Sequence, residues 1–387
     1  MMKFLGYRRP DGQVGTRNLI GVIPTTVCAN EVAERITNQV NGATAFLHHQ
    51  GCCQTPPDIE RVSFILGRLG KHPNLAGVLI VSLGCESVLA DEVAEDIAGS
   101  GKPVKKIVIQ ELGGAARATA QGTLLVQEMV IEASKLEREP CPVSELVYGI
   151  KCGASDTTSG LGANPVAGAA ADIIIRNGGT VVFGETTEFI GAEHLLAKRG
   201  ATPEIGQRIL DIVERMENRA KAVGADMRGG QPTAGNIAGG LTTIEEKSLG
   251  AIVKSGTTPV VDVCEYGERP AKKGLVVMDS PGREPELLTG LAAAGCQVIV
   301  FTTGRGAPQG FPFVPVIKVT ANSKTYERLK DHIDMSVSDV VAGVQTVGAA
   351  GEELAKEVLA VASGKTTKAE AIGYFAAMDI YCTGPVI

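Results

Sequence analysis

The sequence contains no tryptophan, and aromatic residues make up only 4% of its 387 residues. It also lacks any run of about 18 apolar residues, the length that a membrane-spanning helix needs. The net charge is −6 and no stripe of basic residues is present, which argues against a nucleic-acid-binding surface. Charge begins at Lys3, before a signal-peptide core could form. We therefore expect a cytoplasmic protein that binds neither a membrane nor nucleic acid.

Several common motifs are also missing. The sequence has no Walker phosphate loop, no dinucleotide-binding fingerprint and no Gly-x-Ser-x-Gly elbow, which disfavours a nucleotide-dependent oxidoreductase or a serine hydrolase. Its nine cysteines are odd in number and include no Cys-x-x-Cys pair. This usage indicates reduced thiols or metal ligands rather than a disulfide framework.

The residues that are abundant favour an α/β enzyme. Glycine occurs 48 times and hydrophobic residues make up 44% of the chain, a composition typical of tight strand-to-helix turns around aliphatic cores. Short apolar runs alternate with helical patterns, which predicts two doubly wound, mainly parallel sheets. The charged segment 137–142 contains two prolines and is interpreted as a linker. We therefore expect an N-terminal α/β domain over 1–140 and a second domain over 141–387.

Three cysteines lie beside glycines where buried strands are expected to end, namely Cys52, Cys85 and Cys152. The carboxyl ends of parallel strands meet at one edge of a sheet, and ligands bind there. Thiols at such an edge indicate an iron or zinc site. The alternative is that each cysteine packs as a small hydrophobic residue, which is common for free cysteines.

Two carboxylates, Glu185 and Glu188, follow the predicted strand Thr180–Phe183. Placed three residues apart, they could face one divalent cation or divide acid and base roles. The alternative is stabilisation of a helix N-terminus by Glu188 in its first turn.

Other polar residues are candidates for binding and proton transfer. Thr303 and Arg305 follow a predicted strand and suit a carboxylate or phosphate, although a surface hairpin is the alternative. Lys247 follows a capping-box-like helix start and is either a base, a carboxylate clamp or an exposed helical residue. His48 and His49 adjoin Cys52, whereas His72, His194 and His332 lie among charged residues and are expected at the surface.

Taken together, these segments resemble the large catalytic region of the altronate/galactarate dehydratase family, to which the β subunit of (2R)-sulfolactate sulfo-lyase is also similar. The resemblance covers nearly the whole chain. It is carried by residues 15–18, 48–52, 83–86, 151–156 with 164–165, 184–188, 238–242 with 246–250, 278–282 and 302–306.

This resemblance implies an iron-dependent lyase that acts on a hydroxy acid. The first expectation is dehydration of a sugar acid such as altronate or galactarate to a 2-keto-3-deoxy acid. The alternative is release of sulfite and pyruvate from (2R)-sulfolactate. A non-catalytic ligand-binding module is disfavoured, because such a module would have lost the cysteines and the basic residues.

The resemblance also implies an unusual Rossmann-like C-terminal catalytic domain and an N-terminal domain that dimerises and contributes to the site. Single-chain members of the family carry a small N-terminal β-clip domain, and Met1 immediately precedes the catalytic region here. A separate small β-clip subunit is therefore expected as a partner, in a homodimer or a heterotetramer.

The resemblance assigns a role to each candidate residue. Iron, as a ferrous ion or an iron–sulfur cluster, or another divalent cation, is expected on Cys52, Cys85, Cys152 and Glu188. Expected substrate-binding residues are Arg17, Asn18, Ser155, Asp156, Thr303 and Arg305. Proton transfer is expected from His48, Lys247 and Glu185.

Overall fold

The computed structural model describes residues 2–375 and 378–387. Its first part contains seven strands and four helices, in the order β1 (Lys3–Arg8), β2 (Val14–Gly15), β3 (Leu19–Pro24), α1 (Asn30–Thr37), β4 (Ala43–Ala45), α2 (Pro56–Gly70), β5 (Leu75–Ser82), α3 (Ala90–Ala98), β6 (Val104–Val108), α4 (Ala115–Ala133) and β7 (Glu139–Pro142).

The segment predicted as a linker is a strand. β7 pairs with β1 in antiparallel orientation, and β1 also pairs with β2, giving a three-stranded sheet in the order β2-β1-β7. The prediction of a linker was wrong because it relied on the two prolines of Glu139–Pro142. Proline is tolerated at the edge of a sheet, where its missing N–H is not needed by a second neighbour.

The first parallel sheet has the strand order β4-β3-β5-β6. Its β5 is almost entirely buried, as expected of a central strand covered on both faces. Helices α1 and α4 pack on one face of the sheet, and α2 and α3 pack on the other. The chain leaves β3 towards β4 on one side and returns to β5 on the other, so a crevice opens beyond the carboxyl ends of β3 and β5.

The second part contains seven strands and ten helices: β8 (Val147–Gly153), α5 (Asn164–Arg176), β9 (Thr180–Phe183), α6 (Glu193–Ala197), α7 (Pro203–Ala222), α8 (Ala234–Ala238), α9 (Ile244–Ile252), β10 (Val260–Cys264), β11 (Leu275–Met278), α10 (Glu284–Ala293), β12 (Val298–Thr303), β13 (Val316–Thr320), α11 (Ser323–Arg328), β14 (Met335–Ser336), α12 (Ser338–Val341), α13 (Val347–Ala362) and α14 (Lys368–Ile372).

The second sheet is also parallel, with the strand order β10-β11-β9-β8-β12-β13-β14. The chain passes from β8 to β9 on one side and reaches β12 on the other, which makes the carboxyl ends of β8 and β12 a topological switch point. The prediction of an α/β protein with parallel sheets is confirmed. A Rossmann-like second domain and a division at residue 140 stay predictions.

The two parallel sheets share one apolar core. Ile65 of α2 and Val78 of β5 belong to the same buried cluster as Leu287 of α10 and Ile299 of β12. The first and second parts of the chain are therefore packed against each other through hydrophobic side chains. None of the described helices is long and apolar enough to span a membrane.

Candidate active site

Charged side chains surround Cys152 at the carboxyl end of β8. Glu185 follows β9, and its Oε2 accepts hydrogen bonds from the Cys152 backbone N–H at 3.0 Å and from Lys254 Nζ at 2.6 Å. Lys151 Nζ lies 3.3 Å from Glu185 Oε1. Lys254 Nζ also lies 3.3 Å from Cys152 Sγ. We call these four residues the Glu185 cluster; its side chains are closed to bulk water.

Burial and charge act in opposite directions on the pKa values of the Glu185 cluster. Burial alone raises the pKa of Glu185, but Lys254 and Lys151 outweigh it and the pKa is lowered. Burial alone lowers the pKa of Lys254, but Cys152 and Glu185 outweigh it and the pKa is raised. Burial, followed by the charge of Glu185, raises the pKa of the Cys152 thiol to about 12. At neutral pH the cluster therefore holds a carboxylate, two ammonium groups and an un-ionised thiol.

Strained backbone marks the same loops. In the part of the chain that the structure describes, the non-glycine residues with positive φ are Cys53 (54°), Ala154 (49°) and Glu185 (72°). Ala154 directly follows β8, Glu185 lies two residues after the end of β9, and Cys53 lies in the loop after β4. Such conformations persist only where surrounding structure enforces them, and they concentrate at functional sites.

A second ion pair lies beside the Glu185 cluster. Lys247 Nζ on α9 is 3.1 Å from Glu188 Oε1 and 2.9 Å from the side-chain oxygen of Gln231. The other oxygen of Glu188 is buried and has no hydrogen-bond partner among the described residues. The charge of Glu188 also contributes to the raised pKa values of Cys152 and Lys254.

Lys247 lines a cavity of about 310 Å³ next to the loop that follows β8. This cavity, which we call the Lys247 cavity, has hydroxyl, amide and charged groups set among apolar surface from three leucines. Its lining residues are Ser155, Asp156, Thr157, Ser159, Gly160, Leu161, Asn164, Leu241, Glu246, Lys247, Leu249 and Gly250. The structure thus brings together the predicted residues Ser155, Asp156 and Lys247.

Other predicted substrate-binding residues near the switch point are held by the protein itself. Asp156 Oδ1 accepts a hydrogen bond from the Ser159 N–H at 3.1 Å, which closes the loop after β8. The Thr303 hydroxyl accepts from two N–H groups of the turn that follows it. Arg305 donates to the Gly235 carbonyl at 2.7 Å. These contacts shape the loops beside the Lys247 cavity.

The thiols of the first part lie at the carboxyl edge of its own sheet. Cys52 Sγ and Cys53 Sγ are 3.7 Å apart. The Gly51 carbonyl accepts hydrogen bonds from the N–H groups of Ser87 and Val88, which holds the loop carrying Cys85 beside them. Cys53 and Cys85 are exposed, as is Cys28 in the neighbouring loop after β3.

The structure does not bring the predicted metal ligands together. Among residues 2–375 and 378–387, no group of three or more His, Cys, Asp and Glu side chains is arranged to hold an ion. Cys152 also lies next to the ammonium group of Lys254, which repels a cation. The ammonium group of Lys247 lies 3.1 Å from Glu188 Oε1 and likewise repels a cation at that carboxylate. The arrangement therefore does not fit the predicted site on Cys52, Cys85, Cys152 and Glu188, and iron stays a prediction.

Both ring nitrogens of His48 contact backbone groups. Its Nε2 lies 2.8 Å from the Pro24 carbonyl, and its Nδ1 accepts the Gln50 N–H at 3.2 Å. Burial lowers its pKa to about 4, so the ring is neutral at pH 7. Both ring nitrogens are thus used, which leaves the predicted proton-transfer role of His48 without geometric support. The adjacent His49 instead contacts Asp379 at 2.7 Å.

Acid should destabilise the fold through His48 and His72. His72 is 1% exposed, which corrects the expectation that it lies at the surface, and burial lowers its pKa to about 3. Because the folded pKa lies below the unfolded value of about 6.5, the unfolded state binds more protons and stability is lost as pH falls below 6.5. We expect about 2 kcal/mol of loss from His48 alone between pH 7 and pH 5.

Urea unfolding at both pH values measures this loss. His48→Gln should show a smaller difference between the two than the wild type, and the exposed His194→Gln should show the same difference as the wild type. Equal pH dependence in all three proteins would contradict the buried, neutral state of His48.

Arg17 and Asn18 lie at the opposite, amino end of β3. Arg17 forms an ion pair with Glu370 at 2.6 Å and donates to the Val361 carbonyl at 2.9 Å. Asn18 Nδ2 donates to the Ala133 carbonyl at 2.7 Å. These contacts tie together α4, α13 and α14. The substrate-binding role of both residues stays a prediction.

Sequence reasoning missed Lys151 and Lys254, which enclose Glu185. Lys254 follows the apolar end of α9 and has 0% side-chain exposure. A signal was present: Lys247 and Lys254 are seven residues apart, two helical turns, and therefore share a face. In the structure Lys247 pairs with Glu188 and Lys254 pairs with Glu185, so the two lysines contact two carboxylates that are three residues apart.

Two family profiles match the chain. The profile described as "D-galactarate/Altronate dehydratase, C-terminal" matches residues 143–384. The profile described as "D-galactarate dehydratase/Altronate hydrolase, second domain" matches residues 6–134. Together they cover both parallel sheets and their carboxyl-edge loops.

Characterised relatives are similar over most of the chain. The β subunit of (2R)-sulfolactate sulfo-lyase from Chromohalobacter salexigens is 41% identical over 96% of this chain and 95% of its own length. Altronate dehydratase of Bacillus subtilis is 36% identical over 86% of this chain and 68% of its own length. Galactarate dehydratase (L-threo-forming) of Escherichia coli is 33% identical over 94% and 73% respectively. These relatives are lyases.

Proposed function

Because the chain belongs to the D-galactarate/altronate dehydratase family, we propose that it is a lyase that eliminates a β substituent from a 2-hydroxy carboxylate. The first candidate reaction is dehydration of a sugar acid, such as altronate or galactarate, to a 2-keto-3-deoxy acid. The observation that carries the proposal is the pairing of Lys247 and Glu188 beside the Lys247 cavity. It supplies a carboxylate-binding cation at the cavity wall and, in contact with that cation, a carboxylate that can accept a proton.

The cavity chemistry suits a hydroxylated acid. A volume of about 310 Å³ lies in the range of sites for small molecules. Lys247 attracts the substrate carboxylate, and the hydroxyl groups of Ser155 and Thr157 offer hydrogen bonds to substrate hydroxyls. Anchoring the carboxylate next to a cation also favours loss of the proton on the adjacent carbon, because negative charge then develops on that carboxylate.

A second candidate is elimination of sulfite from (2R)-sulfolactate. One observation favours it: the sulfo-lyase β subunit matches over 95% of its length, whereas the dehydratases match over 68% and 73% of theirs. Both reactions begin with removal of the same proton, and they differ in the group that leaves. The substrate carboxylate would bind Lys247 in either case.

A partner and a cofactor form part of the proposal. The sulfo-lyase relative is named as a β subunit, which supports a complex with a small β-clip subunit. Iron, as a ferrous ion or a cluster, is proposed from family resemblance alone. The residue roles described here do not depend on it.

Product analysis separates the two candidate reactions. The chain is incubated, alone and with a small β-clip subunit, with altronate, galactarate and (2R)-sulfolactate, and both 2-keto acid and sulfite are measured. We expect a 2-keto acid from at least one sugar acid, with higher activity when the subunit is present. Sulfite and pyruvate from sulfolactate, with no product from either sugar acid, would establish the second candidate. No product from any of the three acids would refute the proposed function.

A further inference from the structure

Glu188 differs from Glu185 in how its oxygens are used. Glu185 Oε1 faces Lys151, and Glu185 Oε2 accepts from Lys254 and from the Cys152 N–H. Glu188 Oε1 faces Lys247 at 3.1 Å, and its Oε2 has no hydrogen-bond partner among the described residues. A buried oxygen without a partner is costly, so its retention calls for a functional explanation.

The two carboxylates also differ in how exposed they are and in which residues they contact. The side chain of Glu185 is 1% exposed, whereas that of Glu188 is 15% exposed and is bonded to a residue of the cavity wall. Both oxygens of Glu185 are already occupied, by Lys151, by Lys254 and by the Cys152 N–H, which leaves no oxygen free to accept a proton from a ligand. Of the two carboxylates, Glu188 is therefore the one in direct contact with a residue of the Lys247 cavity.

We infer that Glu188 is the general base of the elimination, with Lys247 binding the substrate carboxylate and Glu185 acting as a positioning residue. This inference rests on the proposed function. It also changes two expectations from the sequence, in which Glu185 was catalytic and Glu188 was a metal ligand.

The step balances in atoms and charge. Glu188 takes the proton from the carbon next to the substrate carboxylate, and the electron pair of that C–H bond forms a C=C bond. The β hydroxyl leaves with the proton that Glu188 acquired, as water, and the enol product converts to the 2-keto acid. For a sulfonate substrate, the electron pair of the C–S bond leaves with sulfite and Glu188 returns its proton to solvent.

The Glu185 cluster positions Glu188 in this scheme. Glu188 lies close enough to Lys254 for its charge to raise the pKa of that lysine. Lys254 in turn is fixed by Glu185 at 2.6 Å. Glu185 therefore fixes the position of a cation near Glu188 before substrate arrives.

Kinetics of Glu188→Gln and Glu188→Asp test the inference, with whichever of the three acids the wild type converts. Glu193→Gln is the matched control, because Glu193 also follows β9 and pairs with a cation, Arg228, outside the cavity. We expect Glu188→Gln to lower kcat about 100-fold while KM changes much less, since removal of a general base typically costs 10² or more. Glu188→Asp should recover part of the loss, and Glu193→Gln should stay within about twofold of the wild type.

Exchange of the substrate α-hydrogen in D₂O and the metal content of each variant complete the test. Loss of exchange in Glu188→Gln, with unchanged metal content and unfolding temperature, supports the inference. Turnover of Glu188→Gln within about tenfold of the wild type overturns the inference and leaves the proposed function standing. Loss of bound iron together with activity overturns it in favour of a metal-ligand role. Absence of turnover by the wild type refutes the proposed function and this inference with it.

Discussion

Iodoacetamide at pH 8 is expected to alkylate Cys28 and Cys85 roughly 1,000 times faster than Cys152. Cys28 and Cys85 are exposed, whereas Cys152 is 3% exposed and burial raises its thiol pKa to about 12. Only the thiolate reacts, and a thiol with that pKa is ionised at about one part in 10⁴ at pH 8. Restricted access slows Cys152 further.

Mass spectrometry of peptides, sampled over time, gives the rate at each cysteine. Cys296 serves as an internal reference, because it is 0% exposed and burial raises its pKa without an ionic cluster around it. All nine cysteines should react rapidly after unfolding in guanidinium chloride. Alkylation of Cys152 at the rate of Cys85 in the folded protein would show that the Glu185 cluster is open to solvent.

Glu185→Gln is expected to lower the free energy of unfolding by about 3–5 kcal/mol at pH 7, the cost of breaking a buried ion pair by removing one partner. The substitution keeps the side-chain size and leaves the ammonium groups of Lys151 and Lys254 without their shared carboxylate. Exposed Glu214→Gln in the middle of α7 is the control and should change stability by less than about 0.5 kcal/mol.

A double variant and the pH dependence of stability test whether the loss of unfolding free energy in Glu185→Gln comes from the buried ion pair. Glu185→Gln with Lys254→Met should be less destabilised than the sum of the two single variants, because the second change removes a stranded charge. The folded pKa of Glu185 is lowered, so its stabilisation is present above the unfolded pKa and is lost as pH falls through the folded value. The difference between wild type and Glu185→Gln should therefore shrink in acid. A difference independent of pH, with additive single variants, would contradict a buried ion pair.

The parallel sheets were predictable because buried strands have a local signature. Leu75–Ser82 and Thr180–Phe183 are apolar runs bounded by glycine or polar turns, a pattern that indicates buried strands, and the strand predicted at Thr180–Phe183 is observed there. Lys3–Arg8 alternates exposed and buried residues but is short, and its partner Glu139–Pro142 lies more than 130 residues away in sequence. Such a pairing has no local signal. Val260–Cys264 contains Asp262, which weakened its apolar pattern.

The sequence allowed the loops that carry the site residues to be predicted, but not which of those residues contact one another. Cys152, Glu185 and Lys247 could be identified because each lies at the end of a strand or the start of a helix with polar neighbours. The contact of Lys254 with Glu185 depends on how α9 rotates against the sheet, which tertiary packing decides. Convergence of three cysteines was expected from similar settings at strand ends. Cys52 and Cys85 follow strands of the first parallel sheet, whereas Cys152 lies at the end of β8 in the second. A glycine beside each cysteine does not indicate how far apart the two sheets lie.

The apolar core shared by the two parallel sheets limits how the two parts of the chain can move relative to each other. A large hydrophobic interface resists the hinge rotation that separate domains undergo, which occurs over microseconds to milliseconds. The segment 227–240 instead contacts the site from the surface, where Gln231 bonds to Lys247 and Asn236 bonds to the Ser155 carbonyl. Loop motions occur over nanoseconds to microseconds. This segment, and not the interface between the two sheets, therefore supplies the surface contacts beside the Lys247 cavity.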